Sequence, residues 1–173
     1  MEVISKHRLF STPYVNLDKA VVKTKKGGVL EHFMLDYVRN SVVAVVMRGP
    51  FILMVKTKRF ICGKDGWEMP GGWMLAGETP LDAVRRKVED ETGYEVKKIS
   101  RLGMSVPLVG ISKKDHLFFV VEVGDQISGF NRDLVEGLDF FDFDKVLKMI
   151  RKGLVFDEAT LSGLMLAKAE SYV

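Results

Sequence analysis

The sequence predicts an α+β domain built around a mixed sheet, and three observations lead to this class. Several segments combine β-branched and aromatic residues and are bounded by turn residues, as strands are. Two intensely apolar runs, SVVAVVM (41–47) and FILMVK (51–56), flank an Arg-Gly-Pro break and indicate a buried hairpin. Helices are few and come late, so the regular alternation of strand and helix that defines a doubly wound fold is absent.

The other expected elements follow along the chain. Six further strands are predicted: Val3–Phe10, Tyr14–Thr24, Val29–Tyr37, Glu95–Val106, Asp115–Val123 and Leu138–Phe143. Residues 61–66 are expected to form a loop, and residues 67–70 a short extended piece that leads into a glycine turn. Two helices are predicted at the end of the chain, one over Asp144–Arg151 and one from Asp157 as N-cap to Ala169.

The first helix with clear boundary signals begins after Thr79. Thr79 can serve as N-cap, Pro80 suits the first helical position, and Asp82 stands where a capping-box acid belongs. Gly93 is expected to end the helix. Apolar residues recur with helical spacing along one face, at Leu81, Val84 and Val88.

Composition restricts the classes of function. A chain of 173 residues suits one domain, and a net charge of +3 is too small to indicate nucleic-acid binding. No apolar run approaches the roughly 20 residues of a membrane span, and no signal peptide is recognisable at the N-terminus. Cys62 is the single cysteine, which favours a reducing compartment. We therefore expect a cytoplasmic protein that binds neither nucleic acid nor membrane.

The last two turns of the first helix, RRKVEDE (85–91), concentrate charge between apolar segments. Each helical residue advances by about 100°, so Lys87, Asp90 and Glu91 lie on one face. Acids gathered in this way repel one another unless a cation neutralises them, which favours a hard divalent ion such as Mg²⁺ or Mn²⁺. Gly71 and Gly72, just before the helix, would let backbone groups approach that ion or a phosphate.

A second interpretation of the same helix stays open. The charges can form a solvated face that is balanced by i,i+4 pairs, Arg86 with Asp90 and Lys87 with Glu91. Similarly, the basic cluster at 56–59, KTKR, is either a solvated loop or an edge that faces an anion.

The spacing of these residues resembles the Nudix box. That pattern is Gly, five residues, Glu, seven residues, then Arg-Glu-apolar-x-Glu-Glu-x-Gly-apolar. It is matched by Gly72, Glu78, Arg86, Val88, Glu91, Gly93 and Tyr94. Two positions depart from it, because Lys87 and Asp90 stand where the family has glutamate.

The resemblance extends along most of the chain. The hairpin VVAVVM-RGPFILMVKTKR, the loop VPLVGIS (106–112) and the C-terminal segment from Val135 resemble the ADP-ribose pyrophosphatase subgroup. This resemblance implies the Nudix fold, a mixed sheet sandwiched by helices (α/β/α) with extra N-terminal antiparallel strands. It also implies one domain over 1–173, with N-terminal strands in 1–40 and the Nudix core in 41–173, and a homodimer.

The resemblance implies hydrolysis of a nucleoside diphosphate linked to another moiety, with Mg²⁺ or Mn²⁺ as cofactor. The expected metal ligands are the Gly71 carbonyl and the acids Asp90, Glu91 and Glu136. Asp133 is an alternative to Glu136.

The same resemblance suggests roles for the remaining residues. Arg86, Lys87, Glu91 and Glu136 are the expected catalytic set. Arg86 would orient the acids and Glu78 would brace the preceding loop against the helix. Substrate contacts are expected from Lys58, Arg59 and Gly72.

Lys87 puts this expectation in question. An ammonium cannot ligate a metal ion and repels one at close range. Three outcomes follow. The site holds fewer metal ions and the Lys87 charge replaces one of them, or it acts on an unusual substrate with another acid as the base. In the third, the protein binds nucleotides without cleaving them. Two functions therefore remain, a hydrolase of nucleoside diphosphate derivatives such as ADP-ribose or nucleotide sugars, and a weakened domain that binds nucleotide as a sensor. Damaged nucleoside triphosphates are a further substrate class.

Overall fold

A computed structural model describes residues 2–173 and divides them into two compact units. One unit contains the residues up to Asn40 together with Val106–Asp115, and the other contains Ser41–Ser105 and His116–Val173. The strands are β1 (Glu2–Ser11), β2 (Val15–Lys23), β3 (Val29–Tyr37), β4 (Ser41–Arg48), β5 (Phe51–Arg59), β6 (Lys64–Glu68), β7 (Gly71–Trp73), β8 (Tyr94–Ser105), β9 (His116–Gln126) and β10 (Gly137–Phe141). The helices are α1 (Pro80–Thr92), α2 (Phe143–Arg151) and α3 (Glu158–Ala169).

The N-terminal unit is an antiparallel sheet in the order β1-β2-β3. The segment 106–115 lies against β3, where the Leu35 amide donates to the Ile111 carbonyl at 2.7 Å. A ring nitrogen of His32 also lies 2.9 Å from the Gly110 carbonyl oxygen. The predicted N-terminal antiparallel strands are therefore confirmed, and the loop VPLVGIS belongs to their unit.

The larger unit is built on a mixed sheet in the order β10-β5-β4-β9-β8, with β6 added to β5 and β7 added to β4. Strands β4 and β9 run parallel, with Ser41 opposite His116, and the other pairs are antiparallel. The predicted hairpin of β4 and β5 and the predicted pairing of β8 with β9 are both confirmed.

Helices cover both faces of this sheet. Alternate side chains of a strand point to opposite faces, and β4 supplies both layers because nearly all of it is buried. Val42, Ala44 and Val46 pack with Ala83, Val84 and Val88 of α1. Val43, Val45 and Met47 pack with the residues of α2 and α3. Full burial of one valine stabilises the fold by roughly 1.5–3 kcal/mol, so both layers contribute to stability. Because helices pack on both faces of the sheet, the predicted α/β/α arrangement is confirmed.

Helix α1 has the boundaries that its sequence predicts. The Thr79 hydroxyl accepts a hydrogen bond from the Asp82 amide at 3.2 Å, and Pro80 occupies the first turn. Gly93 ends the helix with a φ of 72°, which is accessible to glycine at little cost. These two ends fix which residues of the last turns face the sheet.

Three local expectations differ from the structure. The predicted loop at 61–66 contains the start of β6, which pairs Lys64 with Arg59 of β5. The predicted glycine turn is the short strand β7. Phe143 is helical rather than the end of a strand, because the Asp142 carboxylate caps α2 by accepting from the Lys145 amide at 2.7 Å. Among residues 2–173, no helix is long and apolar enough to cross a membrane.

Candidate active site

The end of α1 and strand β7 bring Lys87, Glu91 and Gly71 together. Lys87 Nζ lies 3.1 Å from Glu91 Oε1, one turn along the helix. The Gly71 amide donates to Glu91 Oε2 at 3.1 Å. Glu91 is only 7% exposed, so both carboxylate oxygens are engaged inside the protein.

The environment of Glu91 acts on its charge in two directions. Burial raises the pKa of this carboxyl above its ordinary value, because a charged group loses its hydration. The Lys87 ammonium and the Gly71 amide oppose that rise, since both favour the carboxylate. Lys87 therefore serves as the internal counter-charge of a buried acid.

The two glycines are needed for different contacts. A Cβ on Gly71 would lie 2.5 Å from the Val42 carbonyl oxygen, so glycine is required where β7 pairs with β4. A Cβ on Gly72 would lie 2.9 Å from Lys87 Cε, and the φ of Gly72 is +141°. Gly72 thus leaves the space in which the Lys87 side chain lies.

A cavity of about 140 Å³ opens beside Lys87 and Glu91. Its lining residues come from strand β5, the end of β6 and the residue after it, helix α1 and the loop before β10: Val55, Thr57, Arg59, Glu68, Met69, Lys87, Glu91, Leu134 and Val135. Arg59 Nε lies 2.9 and 3.1 Å from the two oxygens of Glu68, and a second guanidinium nitrogen also contacts this carboxylate. The pair raises the pKa of Arg59, because the nearby carboxylate favours the guanidinium charge.

Thr57 contributes an unusual polar group to the same cavity. The residue is 8% exposed, and its hydroxyl has no hydrogen-bond partner among the residues that the structure describes. Burying a hydroxyl without a partner costs about 1–3 kcal/mol. Thr57 lines the cavity, but its hydroxyl oxygen is itself enclosed, so a ligand atom would reach it only after a small movement of the neighbouring atoms.

Arg86 and Glu78 form a second ion pair on the outer side of α1. Arg86 donates to the two Glu78 oxygens at 2.7 and 2.9 Å and to the Trp73 carbonyl at 3.3 Å. The Leu75 amide donates to Glu78 at 2.8 Å. The Arg86 guanidinium, with the Leu75 amide, lowers the pKa of Glu78 to about 2. Glu78 and Arg86 therefore brace the loop before α1.

Asp90 lies in a different environment from Glu91. Its side chain is 52% exposed, and its carboxylate is 3.9 Å from the Arg86 guanidinium. Both i,i+4 pairs of the second interpretation are therefore present, Arg86 with Asp90 and Lys87 with Glu91. Only the first is solvated; the second is buried beside the cavity.

The loop before β10 approaches the cavity with apolar residues. Leu134 and Val135 line it, whereas Glu136 and Asp133 are exposed. The Asn131 amide donates to the Asp90 carbonyl at 2.9 Å, which anchors this loop to α1. Lys58, one of the expected substrate contacts, is also exposed.

The arrangement does not suit a resident divalent ion. Within the described range 2–173, no three histidine, cysteine or acidic side chains are grouped so that they could hold a metal. Glu91 is paired with an ammonium and accepts a hydrogen bond from the Gly71 amide. A hard cation needs several oxygen ligands, and both oxygens of the buried acid here already accept from an ammonium and an amide.

Sequence reasoning missed two members of the site. Glu68 was visible only as part of WEMP, and Thr57 only as part of a basic cluster. Their positions depend on the register of β5 with β6, in which Thr57 lies opposite Gly66. The run of four polar residues at 56–59, which follows an apolar strand segment, is the one available signal.

Comparison with known proteins identifies the family and the fold. The family model named NUDIX domain matches residues 38–160. An ADP-ribose pyrophosphatase of Bacillus subtilis is 24% identical over 162 residues, 92% of this chain and 88% of that protein. A CMP-5'-(N-acetyl-N-hydroxy-3-aminopropyl)phosphonate hydrolase of Streptomyces rubellomurinus is 25% identical over 154 residues, 88% and 74% of the two chains. The crystal structure of an ADP compounds hydrolase superposes with a TM-score of 0.84 at 10% identity, covering 99% of this chain and 96% of the other.

The mixed sheet between helices, with a glycine strand leading into a charged helix, defines the Nudix class of fold. The matched residues span most of the chain, which therefore belongs to the NUDIX domain family. Within that family it is a Nudix-type hydrolase that resembles ADP-ribose pyrophosphatases. Nudix hydrolases generally use divalent metals, whereas in this chain an ammonium lies beside Glu91. A proposed function must explain this difference.

Proposed function

We propose that this chain hydrolyses the diphosphate bond of a nucleoside diphosphate derivative, with ADP-ribose or a nucleotide sugar as the first candidates. One observation carries the proposal: the buried acid Glu91 and two cations, Lys87 and Arg59, line one cavity at the end of the braced helix. The names of two relatives support the substrate class, since each describes a nucleotide joined to a second moiety.

The chemistry of diphosphate cleavage suits such a cavity. The reaction needs positive charge around the phosphoryl oxygens and a water molecule in line with the bond that breaks, and little covalent help from the protein. Lys87 and Arg59 offer N–H donors to the phosphoryl oxygens, while Arg86 and Glu78 act as positioning residues for the loop and helix. We propose that the Glu136 carboxylate, on the adjacent loop, accepts a proton from the attacking water. Gly72 and Lys58 are the proposed substrate contacts.

The proposed cofactor is Mg²⁺ or Mn²⁺, which we expect to arrive with the phosphates of the substrate. Mg²⁺ is commonly held by one or two carboxylates together with substrate oxygens. This route agrees with a resting site that does not assemble a set of ligands. Asp90, which is exposed, remains a proposed ligand only in the presence of substrate.

A second candidate function is nucleotide binding with little hydrolysis. It is favoured by the Lys87–Glu91 pair, because a carboxylate that is neutralised by an ammonium is less able to assist the attacking water. The protein would then report on nucleotide concentration or present the bound nucleotide to a partner.

A turnover panel separates the two functions. ADP-ribose, several nucleotide sugars and a damaged nucleoside triphosphate are incubated with the protein in Mg²⁺, Mn²⁺ or EDTA, and the products are separated by chromatography. Release of a nucleoside monophosphate from the first two classes, at a rate that Glu91→Gln lowers, supports the hydrolase. Lys98→Met serves as control, since Lys98 is an exposed residue of β8 paired with Glu122. No turnover on any compound rejects the hydrolase.

We also propose a homodimer formed through the N-terminal sheet. β1 is an edge strand, and its unit exposes large apolar side chains, with Val3, Phe10 and Val29 each more than 60% exposed. Edge strands and exposed apolar patches favour association. Light scattering at micromolar concentration is expected to give twice the monomer mass for the wild type and less for Phe10→Glu. A monomeric wild type rejects the dimer.

A cytoplasmic location is likewise a proposal. Cys62 is an exposed free thiol, which a reducing compartment protects from oxidation.

A further inference from the structure

We propose that the Lys87 ammonium takes the place of a resident divalent cation, so that the cavity binds a diphosphate group directly, through Lys87 and the Thr57 hydroxyl. This inference rests on the proposed function only for the class of ligand. It concerns how that ligand is held before any reaction.

The first step is the position of the Lys87 side chain. Its ammonium is 3.1 Å from Glu91, and only 16% of the side chain is exposed. Gly72 provides the space along which the side chain lies. The lysine is therefore packed in one place, and an entering cation would have to displace it from Glu91 against charge repulsion.

The second step is donor capacity. An ammonium has three N–H donors, and one of them is directed to Glu91. Lys87 also lines the cavity, so the remaining donors are available to a ligand placed there. Phosphoryl oxygens accept such charge-assisted hydrogen bonds strongly.

The third step is the buried hydroxyl of Thr57. The residue lines the same cavity and is more than nine-tenths buried, and its enclosed hydroxyl finds no partner in the described part of the chain. A phosphoryl oxygen would satisfy it, and a cavity of about 140 Å³ has space for such a group. This orphaned group points to a ligand independently of the charged residues.

The fourth step is the charge of the hairpin that carries Thr57. Strands β5 and β6 and their connection, residues 51–68, hold four basic residues against two acidic ones. Arg59 and Glu68 cancel each other beside the cavity, and the excess of positive charge comes from Lys56, Lys58 and Lys64, with Asp65 as the second acid. An anion therefore approaches a surface of favourable sign.

The inference is tested by calorimetry with α,β-methylene ADP, a nucleoside diphosphate whose bridging carbon prevents cleavage. We expect the wild type to bind this probe in EDTA with an affinity within about threefold of that in Mg²⁺. Lys87→Met is expected to weaken binding in EDTA at least about tenfold, and Lys87→Arg to recover part of the loss. Binding that disappears in EDTA overturns the inference.

Thr57→Val is the variant that does not depend on the charged pair. It preserves the shape of the side chain and removes only the hydroxyl, so the fold is retained even if Lys87→Met unfolds. Binding in EDTA is expected to weaken by about three- to tenfold. Thr57→Val with unchanged affinity removes Thr57 from the site and overturns the proposed geometry. Lys98→Met is the matched lysine control and is expected to bind as the wild type does.

The occupancy of the cation position is measured separately, by the electron paramagnetic resonance signal of free Mn²⁺ without nucleotide. We expect no binding by the wild type below about 0.1 mM and at least about tenfold tighter binding by Lys87→Glu, because repulsion is replaced by a ligand. Tight binding of Mn²⁺ by the wild type overturns the inference. Because no readout here is turnover, an inactive protein that binds the probe in EDTA rejects the hydrolase and supports this inference.

Discussion

Helix α1 carries two ion pairs that begin one residue apart and lie in contrasting surroundings. Arg86 reaches back to Glu78 in the preceding loop, where the two side chains are 28% and 12% exposed, with two short hydrogen bonds and a third to a carbonyl. Lys87 reaches forward to Glu91 within the helix, in a buried place beside the cavity. The first pair connects two segments of chain, whereas the second neutralises an acid that has lost its hydration.

The difference shows how one helix serves two purposes. The outer pair matches the Nudix pattern and positions the loop, so its contribution is mainly structural. The inner pair includes the departure from that pattern, and it sets the charge of the cavity. A buried pair depends strongly on both partners, because removing one leaves a charge without compensation. The outer pair is somewhat more accessible to solvent, so the loss of one of its partners costs less.

The largest expected effect comes from the inner pair. Glu91→Gln keeps an oxygen for the Gly71 amide but leaves the Lys87 ammonium buried without its counter-charge. We expect the free energy of unfolding to fall by about 3 kcal/mol. Urea unfolding followed by circular dichroism measures it. Adding Lys87→Met should recover most of the loss, and a double variant as unstable as the single one would show that the two residues are not coupled.

Gly72→Ala is the next most disruptive change. The new methyl group would meet the Lys87 side chain and would hold a φ of +141°, which alanine rarely adopts. We expect a loss of about 2 kcal/mol in the free energy of unfolding. The same substitution in a Lys87→Ala background should cost less, since only the backbone strain remains. Equal costs in both backgrounds would mean that Lys87 does not occupy this space.

The outer pair predicts a dependence on pH. Glu78→Gln should lower the free energy of unfolding at pH 7 by about 1.5 kcal/mol, because Arg86 loses a charged acceptor. The pKa of Glu78 is about 2 in the folded protein against an ordinary 4.5. Its stabilisation is therefore complete above pH 4.5 and is lost as the pH falls toward 2.

Thermal melts from pH 7 downward should thus show a steeper decline for the wild type than for Glu78→Gln. Glu89→Gln is the control, because Glu89 is a more exposed acid of the same helix, 3.6 Å from Arg85. Parallel melting curves for the wild type and Glu78→Gln would contradict the assignment of the acid sensitivity to Glu78.

The smallest effect is expected at Asp90. Asp90→Asn should change the free energy of unfolding by less than about 0.5 kcal/mol, since its carboxylate is exposed and 3.9 Å from Arg86. Urea unfolding at low and high salt measures this difference, which should vanish in high salt. A loss of turnover greater than about tenfold with stability unchanged would instead identify Asp90 as a ligand of an ion that comes with substrate.

Local signals made most of the fold predictable. The N-cap Thr79 and the final Gly93 place α1 because both act through neighbouring atoms. Only the end of β6 is predicted, as the extended piece that begins at residue 67, and β7 is not predicted, because both strands are short and depend on pairing with another strand. Asp142 was overlooked as an N-cap because aromatic residues on both sides of it favour a strand.

The site was predictable where spacing along one helix decides it. The positions of Arg86, Lys87 and Glu91, and both i,i+4 pairs, follow from the helical repeat. The sequence could not decide between a solvated and a buried pair, because burial of Glu91 depends on β7 and the loop before β10. Nor could it place Thr57 in the cavity, since that depends on the register between strands.

The parallel pairing of β4 with β9 has a consequence for how the larger unit acquires its structure. Ser41 pairs with His116, so the most buried strand remains incomplete until much of the remaining chain has been synthesised. Contacts between such distant segments slow the search for the native state. Until β9 has been synthesised, the valines of β4 remain exposed to solvent. Exposed apolar segments of this kind bind chaperones and promote aggregation in concentrated refolding mixtures.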